Sequence, residues 1–144
     1  IVPVLTRYCV SRPEKKAMEK KRERLQKIAL EAAKQSGRGR VPEVLPGMDF
    51  SGALASMARD PVGVFFYEKA QGPLGQVLEE KPSALSMMVG PEGGFSPEEA
   101  QAAQAAGLSL CTMGPRILRC ETAPLYALSA VMYHYENLYR SEVL

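Results

Sequence analysis

Two short glycine- and proline-rich segments of this chain carry the residue types that could do chemistry. Residues 90–99 read GPEGGFSPEE, and residues 113–123 read MGPRILRCETA. Each segment follows a short apolar run and precedes a helical pattern, which places both at the carboxyl ends of predicted strands. Open α/β sheets bind their ligands at that edge. The two loops therefore predict a site for a small cofactor.

Familiar phosphate-binding loops do not account for the first segment. A Walker A loop would continue with Gly-Lys-Ser/Thr, and the dinucleotide fingerprint is GxGxxG, whereas Gly90, Gly93 and Gly94 give GxxGG. A tight strand-to-helix turn without a ligand is the alternative explanation of these glycines. In the second segment, the two arginines and the acid either serve a ligand or form a salt-bridge cluster among themselves.

Length and composition indicate one soluble globular domain. The 144 residues suffice for one core and are too few for two ordinary domains. Hydrophobic residues make up 46% and charged residues 24%, as in soluble proteins. No apolar run approaches the ~18 residues of a membrane helix, and the amino terminus lacks a signal-peptide profile. The first residue is Ile rather than Met, which suggests a piece of a longer chain.

The cysteines indicate a reducing compartment. Cys9, Cys111 and Cys120 are odd in number and form no CxxC pair. Scattered thiols of this kind argue against a disulfide framework and against a zinc site. We therefore predict a cytoplasmic protein with no bound metal.

Positive charge is concentrated in residues 12–40. This segment holds eleven of the eighteen Lys and Arg residues against four Glu, so it carries +7 while the whole chain carries +2. A basic segment on an otherwise acidic domain is typical of a surface that binds a polyanion, with nucleic acid as the first candidate. The alternative is a solvated helix face with i,i+4 pairs such as Glu23–Lys27.

Apolar runs alternate with helical periods along the chain. Strands are predicted at residues 1–5, 62–67, 85–89 and 108–113, with a short extended piece at 41–44 and a loop at 70–83. Helices are predicted at 11–36 (closed by Gly37), 51–59, 97–107 (Ser96 as N-cap, Pro97 at N1) and 121–139. The residues predicted to face inward are Leu25, Ile28, Ala29, Ala32, Leu54, Ala55, Ala58, Leu125, Leu128, Met132 and Leu138. This alternation predicts an α/β fold with a mainly parallel sheet flanked by helices.

The two loop segments resemble the signature motifs of a family of small-subunit ribosomal RNA methyltransferases. That family belongs to the knotted SPOUT superfamily and methylates N3 of a uridine. Residues 25–38 and 41–44 resemble the family's helix and the segment after it, so the resemblance runs from about Ile1 to Tyr135. Two departures are visible. Cys120 stands where the family usually has threonine, and the family's small N-terminal RNA-binding barrel is missing from this chain.

The resemblance implies a single domain over residues 1–144 whose sheet ends in a deep C-terminal trefoil knot. It also implies S-adenosylmethionine as cofactor without a metal, a homodimer, and ribosomal RNA of the small subunit as partner. The location would be the cytoplasm, or an organelle with its own ribosomes, and not a membrane. By position, the cofactor-binding residues would be Tyr67, Val89, Gly90, Gly94, Met113, Gly114, Ile117, Leu118, Thr122 and Ala123.

The chemistry of that family sets a further requirement. Uridine N3 carries a proton, so an enzyme needs a base or cations that stabilise negative charge on the uracil. Within the resemblance, Arg119 is the first candidate for charge stabilisation and Arg116 the second, while Glu121 orients Arg119 or acts as the base. His134 is predicted to be a surface or interface residue. Alternatives are a SPOUT enzyme acting on a ribose or another base, and a non-catalytic RNA-binding or ribosome-assembly module.

Overall fold

The structure is a computed structural model that describes residues 1–78 and 82–138. Its elements follow in chain order: β1 (Val4–Leu5), α1 (Lys15–Gln35), β2 (Met48–Asp49), α2 (Phe50–Met57), β3 (Val62–Phe66), β4 (Gly72–Pro73), α3 (Leu74–Val77), β5 (Leu85–Met88), α4 (Pro97–Ala105), β6 (Ser109–Thr112), α5 (Ala123–Tyr133) and a π-helical turn, His134–Leu138.

A four-stranded parallel sheet in the order β4-β6-β3-β5 forms the centre of the fold. In its register, Val62 lies opposite Leu85 and Val64 lies opposite Ser109. β1 and β2 pair with each other as a separate parallel pair. Because all four central strands run the same way, the loops after β3, β5 and β6 emerge at one edge of the sheet.

Helices cover both faces of this sheet. On one face, Phe65 packs with residues of α2 and α4, including Leu54 and Ala103. On the other, Val64 and Phe66 pack with Ala127 of α5. Strand residues alternate between faces, so β3 is apolar at every buried position because it is covered twice. The predicted parallel α/β sheet flanked by helices is confirmed, and the trefoil knot stays a prediction.

Helix ends match the sequence signals. Ser96 caps α4 in a capping box with Glu99, and Pro97 occupies the first turn. Gly37 and Gly107 follow α1 and α4 with φ of 66° and 87°, in the left-handed region where glycine is favoured.

Several boundaries differ from the prediction. Only Val4–Leu5 of the first five residues is strand, and residues 41–44 are not a strand. The predicted loop at 70–83 contains β4 and α3, because β4 is a two-residue strand that forms only by pairing with β6. The last helix becomes π-helical at His134, and its predicted end at Tyr139 lies outside the described residues.

The predicted inward faces were partly wrong. Leu54 and Ala29 are buried and Leu25 is half-buried, but Ala55, Ala58, Ile28 and Ala32 are exposed, as are Leu125, Leu128 and Met132. The side chain of Leu138 is outside the described part. α5 instead buries Ala123, Ala127 and Val131. The reason is that small residues bring the helix close to the sheet, while its large apolar residues lie on the opposite side.

Candidate functional site

A cleft of about 610 Å³ opens at the carboxyl edge of the central sheet. Three loops form its walls: residues 66–71 after β3, residues 89–95 after β5, and residues from Thr112 at the end of β6 to Ala123 at the start of α5. The second and third are the two loops that the sequence predicted as a cofactor site, and the first contains Tyr67, which the resemblance implied. The parallel sheet brings them together, although they are far apart in the chain.

Nearly all the predicted cofactor-binding residues line this cleft. They are Tyr67, Val89, Gly90, Gly94, Met113, Gly114, Ile117, Leu118 and Ala123. Thr122 is not part of the lining; it precedes α5 and is exposed. The lining position is a finding, whereas the binding role of each residue stays a prediction.

Glycines allow the first loop to fold tightly on itself. A β-carbon on Gly90 would lie 3.2 Å from backbone atoms of Gly94 and from the ring of Phe95. Gly94 has a φ of 66°, which L side chains rarely adopt. Gly114 of the second loop has a φ of 98°. Only glycine fits this backbone without strain, so both loops present main-chain groups close to the cleft.

Three charged residues line the cleft. Arg116 was predicted, but Glu68 and Glu92 were not. The carboxylate of Glu68 lies against Gly94, with Oε2 3.2 Å from where a β-carbon on that glycine would stand. The sequence signal for Glu68 was its place directly after β3 beside Tyr67. Two acids and one arginine give the cleft a negative balance, which suits a ligand with positive charge.

The remaining predicted catalytic residues lie beside the cleft rather than in its lining. Arg119 and Glu121 are exposed, and the carbonyl of Arg119 accepts hydrogen bonds from the amides of Thr122 and Ala123 at 2.9 Å. No ion pair joins Arg116, Arg119 and Glu121 in the described part of the chain. The salt-bridge cluster is therefore absent there, and Glu121 does not orient Arg119 through an ion pair.

Glu121 pairs instead with Cys120. The thiol donates to the carboxylate at an S–O distance of 3.3 Å. A hydrogen bond from its own backbone, followed by the one from Cys120, lowers the pKa of Glu121. The same contact is the main cause of a raised pKa at Cys120, with smaller contributions from desolvation and from Glu92. Cys120 itself lines the cleft, so this thiol is a neutral group on its wall.

The segment before α1 is attached to the first loop and to the start of α4. Glu99, which is buried, accepts from the amide of Arg7 at 2.7 Å and from the amide of Ser96 at 2.9 Å. A β-carbon on Gly93 would lie 2.9 Å from the β-carbon of Tyr8, so these two residues are in close contact. Arg12 donates to the carbonyl oxygens of Thr6 and Arg7. The amino-terminal segment thereby supports one wall of the cleft.

The histidine, the possible metal ligands and the thiols give no further site. His134 is hydrogen-bonded through Nε2 to the carbonyl of Leu78 at 2.6 Å, which indicates a structural role. Within residues 1–78 and 82–138, no cluster of three or more His, Cys, Asp or Glu is arranged to hold a metal. Cys9, Cys111 and Cys120 are all free thiols. Across the same ranges, every helix is too short or too polar to cross a bilayer.

Comparison with known proteins shows which family this chain is similar to. Residues 1–132 match the model of a family described as an RNA methyltransferase domain. The chain is 39% identical to ribosomal RNA small subunit methyltransferase E of Bacillus subtilis, over 95% of this chain and 56% of that protein. It is 33% identical to the protein of the same name from Aquifex aeolicus, over 91% of this chain and 55% of that one.

Solved structures agree with these matches. Ribosomal RNA small subunit methyltransferase E from Neisseria gonorrhoeae, bound to S-adenosyl methionine, has a TM-score of 0.82 at 37% identity and covers 90% of this chain and 52% of its own. A putative methyltransferase from Legionella pneumophila, in complex with SAM, has a TM-score of 0.85 at 28% identity and covers 91% and 53%. The chain thus spans about half the length of these relatives. It belongs to the RNA methyltransferase domain family.

Proposed function

We propose that this chain is the methyl-transferring domain of an S-adenosylmethionine-dependent enzyme that acts on N3 of a uridine in small-subunit ribosomal RNA. The observation that carries this proposal is the three-loop cleft, in a chain similar to a relative solved with that cofactor. The cleft volume of about 610 Å³ is in the range of sites for small molecules.

The residues present fit the cofactor. Main-chain groups of the glycine loops, which line the cleft, would hold its adenine and its amino-acid end. Met113, Ile117 and Leu118 supply apolar contact area in the cleft. The carboxylates of Glu68 and Glu92 complement the positive sulfonium and ammonium groups. No metal is needed for this fit, since the ligand is held by backbone groups, apolar contacts and carboxylates.

The second loop would supply the charge needed at the uracil. When bound, the cofactor provides an electrophilic methyl group; the chain must hold N3 in line with it and stabilise charge on N3, O2 and O4. Arg119 and Arg116 lie on the same loop, and neither is in an ion pair in the described structure. Their guanidinium groups are therefore available to the base. Glu121 is held as a carboxylate near them because its pKa is lowered.

An apolar surface on α5 supports a homodimer. Leu125, Tyr126, Leu128 and Tyr133 are 67, 49, 49 and 62% exposed, and Ile117 at the rim of the cleft is 88% exposed. Tyrosines and large apolar residues are enriched at protein interfaces. A second copy that covers this surface would lie next to the cofactor cleft. The three free thiols favour the cytoplasm, or an organelle with its own ribosomes, as the location.

Calorimetry with S-adenosylmethionine and its demethylated product tests the proposal. We expect both to bind the 144-residue chain. If millimolar ligand produces neither heat in calorimetry nor a shift in melting temperature, the enzyme hypothesis is contradicted. The non-catalytic RNA-binding module would then remain. Mass spectrometry of methylated small-subunit RNA distinguishes uridine N3 from a ribose or another base. Because relatives are about twice as long, we expect poor turnover by this chain alone.

A further inference from the structure

The basic residues of α1 form one continuous stripe. Lys16, Lys20, Arg24 and Lys27 follow each other at intervals of four, four and three residues, which places them on one side of the helix. All four side chains are exposed. We refer to these four residues as the α1 stripe.

The opposite side of α1 is fixed to the protein. Ala29 and Ala33 are buried there. The side-chain amide of Gln26 accepts from the amide of Val44 at 2.7 Å and donates to the carbonyl of Pro42 at 3.1 Å. Val44 is 1% exposed, so this contact anchors the helix on the buried side. The helix cannot turn without breaking it, and the α1 stripe therefore faces solvent.

The positive charges of the α1 stripe are not neutralised by ion pairs in the described structure. The predicted Glu23–Lys27 pair does not form; α1 pairs Arg22 with Glu19, and Lys34 with Glu31, instead. None of the α1 stripe residues is in an ion pair in the described structure. Two neutralising pairs do form on α1, as the solvated-face alternative expected, but neither involves the α1 stripe, so its four charges suit a surface that attracts a polyanion.

The helix that carries the stripe follows a segment that contacts one wall of the cleft. Residues 6–12 lead into α1, and this stretch contacts the first loop through Tyr8 and Gly93 and the start of α4 through Arg7 and Glu99. From there, the 21-residue helix extends by about 30 Å. A polyanion lying on the stripe would thus bind a helix joined to the segment that supports the cleft, without entering the cofactor cleft.

We propose that the α1 stripe binds the phosphate backbone of the RNA substrate. This inference rests on the proposed function for the identity of the polyanion. Phosphate contacts position a protein on RNA but carry no sequence information directly. The stripe would therefore contribute affinity and orientation, whereas the choice of nucleotide depends on contacts elsewhere.

Salt-dependent RNA binding tests the stripe. The stripe variant is Lys20→Gln/Arg24→Gln/Lys27→Gln, and the matched control, Lys15→Gln/Lys21→Gln/Arg59→Gln, removes the same charge at exposed positions off the stripe. The probe is a labelled polyuridine oligonucleotide, with phosphatidylserine vesicles and polyglutamate as other polyanions. We expect the stripe variant to bind RNA about tenfold or more weakly and to lose about 2 from the slope of log affinity against log salt. The control should keep both values near those of the unmodified chain.

The outcomes separate this proposal from the proposed function. Equal losses of RNA affinity in the stripe variant and in the control would overturn the proposal. So would a stripe variant that loses affinity for vesicles or polyglutamate but not for RNA. Cofactor affinity, measured by calorimetry, should be unchanged in both variants. If the chain binds cofactor but its RNA affinity does not depend on the stripe residues, this inference alone is contradicted. If the chain binds RNA through the stripe but does not bind cofactor, the proposed function alone is contradicted.

Discussion

The carboxylate of Glu68 and the backbone of Gly94 meet across the cleft, with Oε2 3.2 Å from the position that a β-carbon on Gly94 would take. Gly94 also has a φ of 66°. A side chain at this position would both strain the backbone and push Glu68 aside. We therefore expect Gly94→Leu to abolish cofactor binding in calorimetry.

The control for this change is Gly39→Leu. A β-carbon on Gly39 would meet nothing within 4 Å, and Gly39 is not part of the cleft lining. Gly39→Leu should therefore leave the affinity for the cofactor unchanged. Tight cofactor binding by a folded Gly94→Leu variant, judged by circular dichroism, would show that the first loop does not hold the ligand.

Glu68 should distinguish the cofactor from its product. S-adenosylmethionine carries a positive sulfonium that the demethylated thioether lacks, so a nearby carboxylate stabilises the first more than the second. Glu68→Gln should weaken binding of S-adenosylmethionine by about tenfold and binding of the thioether by less. Glu23→Gln, an exposed change on α1, serves as control. Equal losses for both ligands would place Glu68 away from the sulfonium.

Arg119→Ala should lower the rate of methyl transfer far more than it lowers cofactor affinity. Its proposed partner is charge that develops on the uracil, and removing one such stabiliser costs about 10²–10³ in rate. The measurement is a single-turnover assay on small ribosomal subunits with an active enzyme preparation. Arg116→Ala, which changes a residue in the cleft lining, should also affect cofactor affinity. An undiminished rate for Arg119→Ala would transfer the main role to Arg116.

The exposed side of α5 should hold two copies together. Leu125→Glu/Tyr133→Glu places charge in an apolar surface and should convert a dimer to a monomer in light scattering at micromolar concentration. Val10 is another exposed apolar residue, on the segment before α1, so Val10→Glu is the control. A monomeric mass for the unmodified chain would contradict the proposed dimer.

Cys120 should react with iodoacetamide only at elevated pH. Its pKa is raised, mainly by the hydrogen bond to Glu121, so less of the reactive thiolate is present at a given pH. Glu121→Gln removes the negative charge and should shift the pH profile of alkylation to lower values. Peptide mass spectrometry separates Cys120 from the buried Cys111, which should stay unlabelled. The same profile in both proteins would mean that Glu121 does not control the thiol.

Sequence patterns predicted the parts of the fold whose signals are local. The apolar run of β3 and the N-cap Ser96 of α4 are read directly from neighbouring residues. β4 and α3 could not be predicted, because two- and four-residue elements containing glycine and proline have no periodicity. β4 forms by pairing with β6, which is a tertiary contact.

The candidate site divides in the same way. Its glycine loops are visible as motifs, whereas Glu68 belongs to the site only because β3 ends opposite Gly94. The prediction of the inward face of α5 was wrong because several sides of this helix are apolar. Hydrophobicity alone does not show which of these sides is buried. Close packing on the sheet selected Ala123 and Ala127 over the leucines.

The two side-chain oxygens of Glu99 connect two separate segments of the chain. One accepts from Arg7 and the other from Ser96, so a single buried carboxylate joins the amino-terminal segment to the first turn of α4. Neither amide can be released to solvent without leaving that carboxylate partly unsatisfied. We therefore expect detachment of the amino-terminal segment and fraying of α4 to be coupled, with correlated amide hydrogen exchange at Arg7 and Ser96.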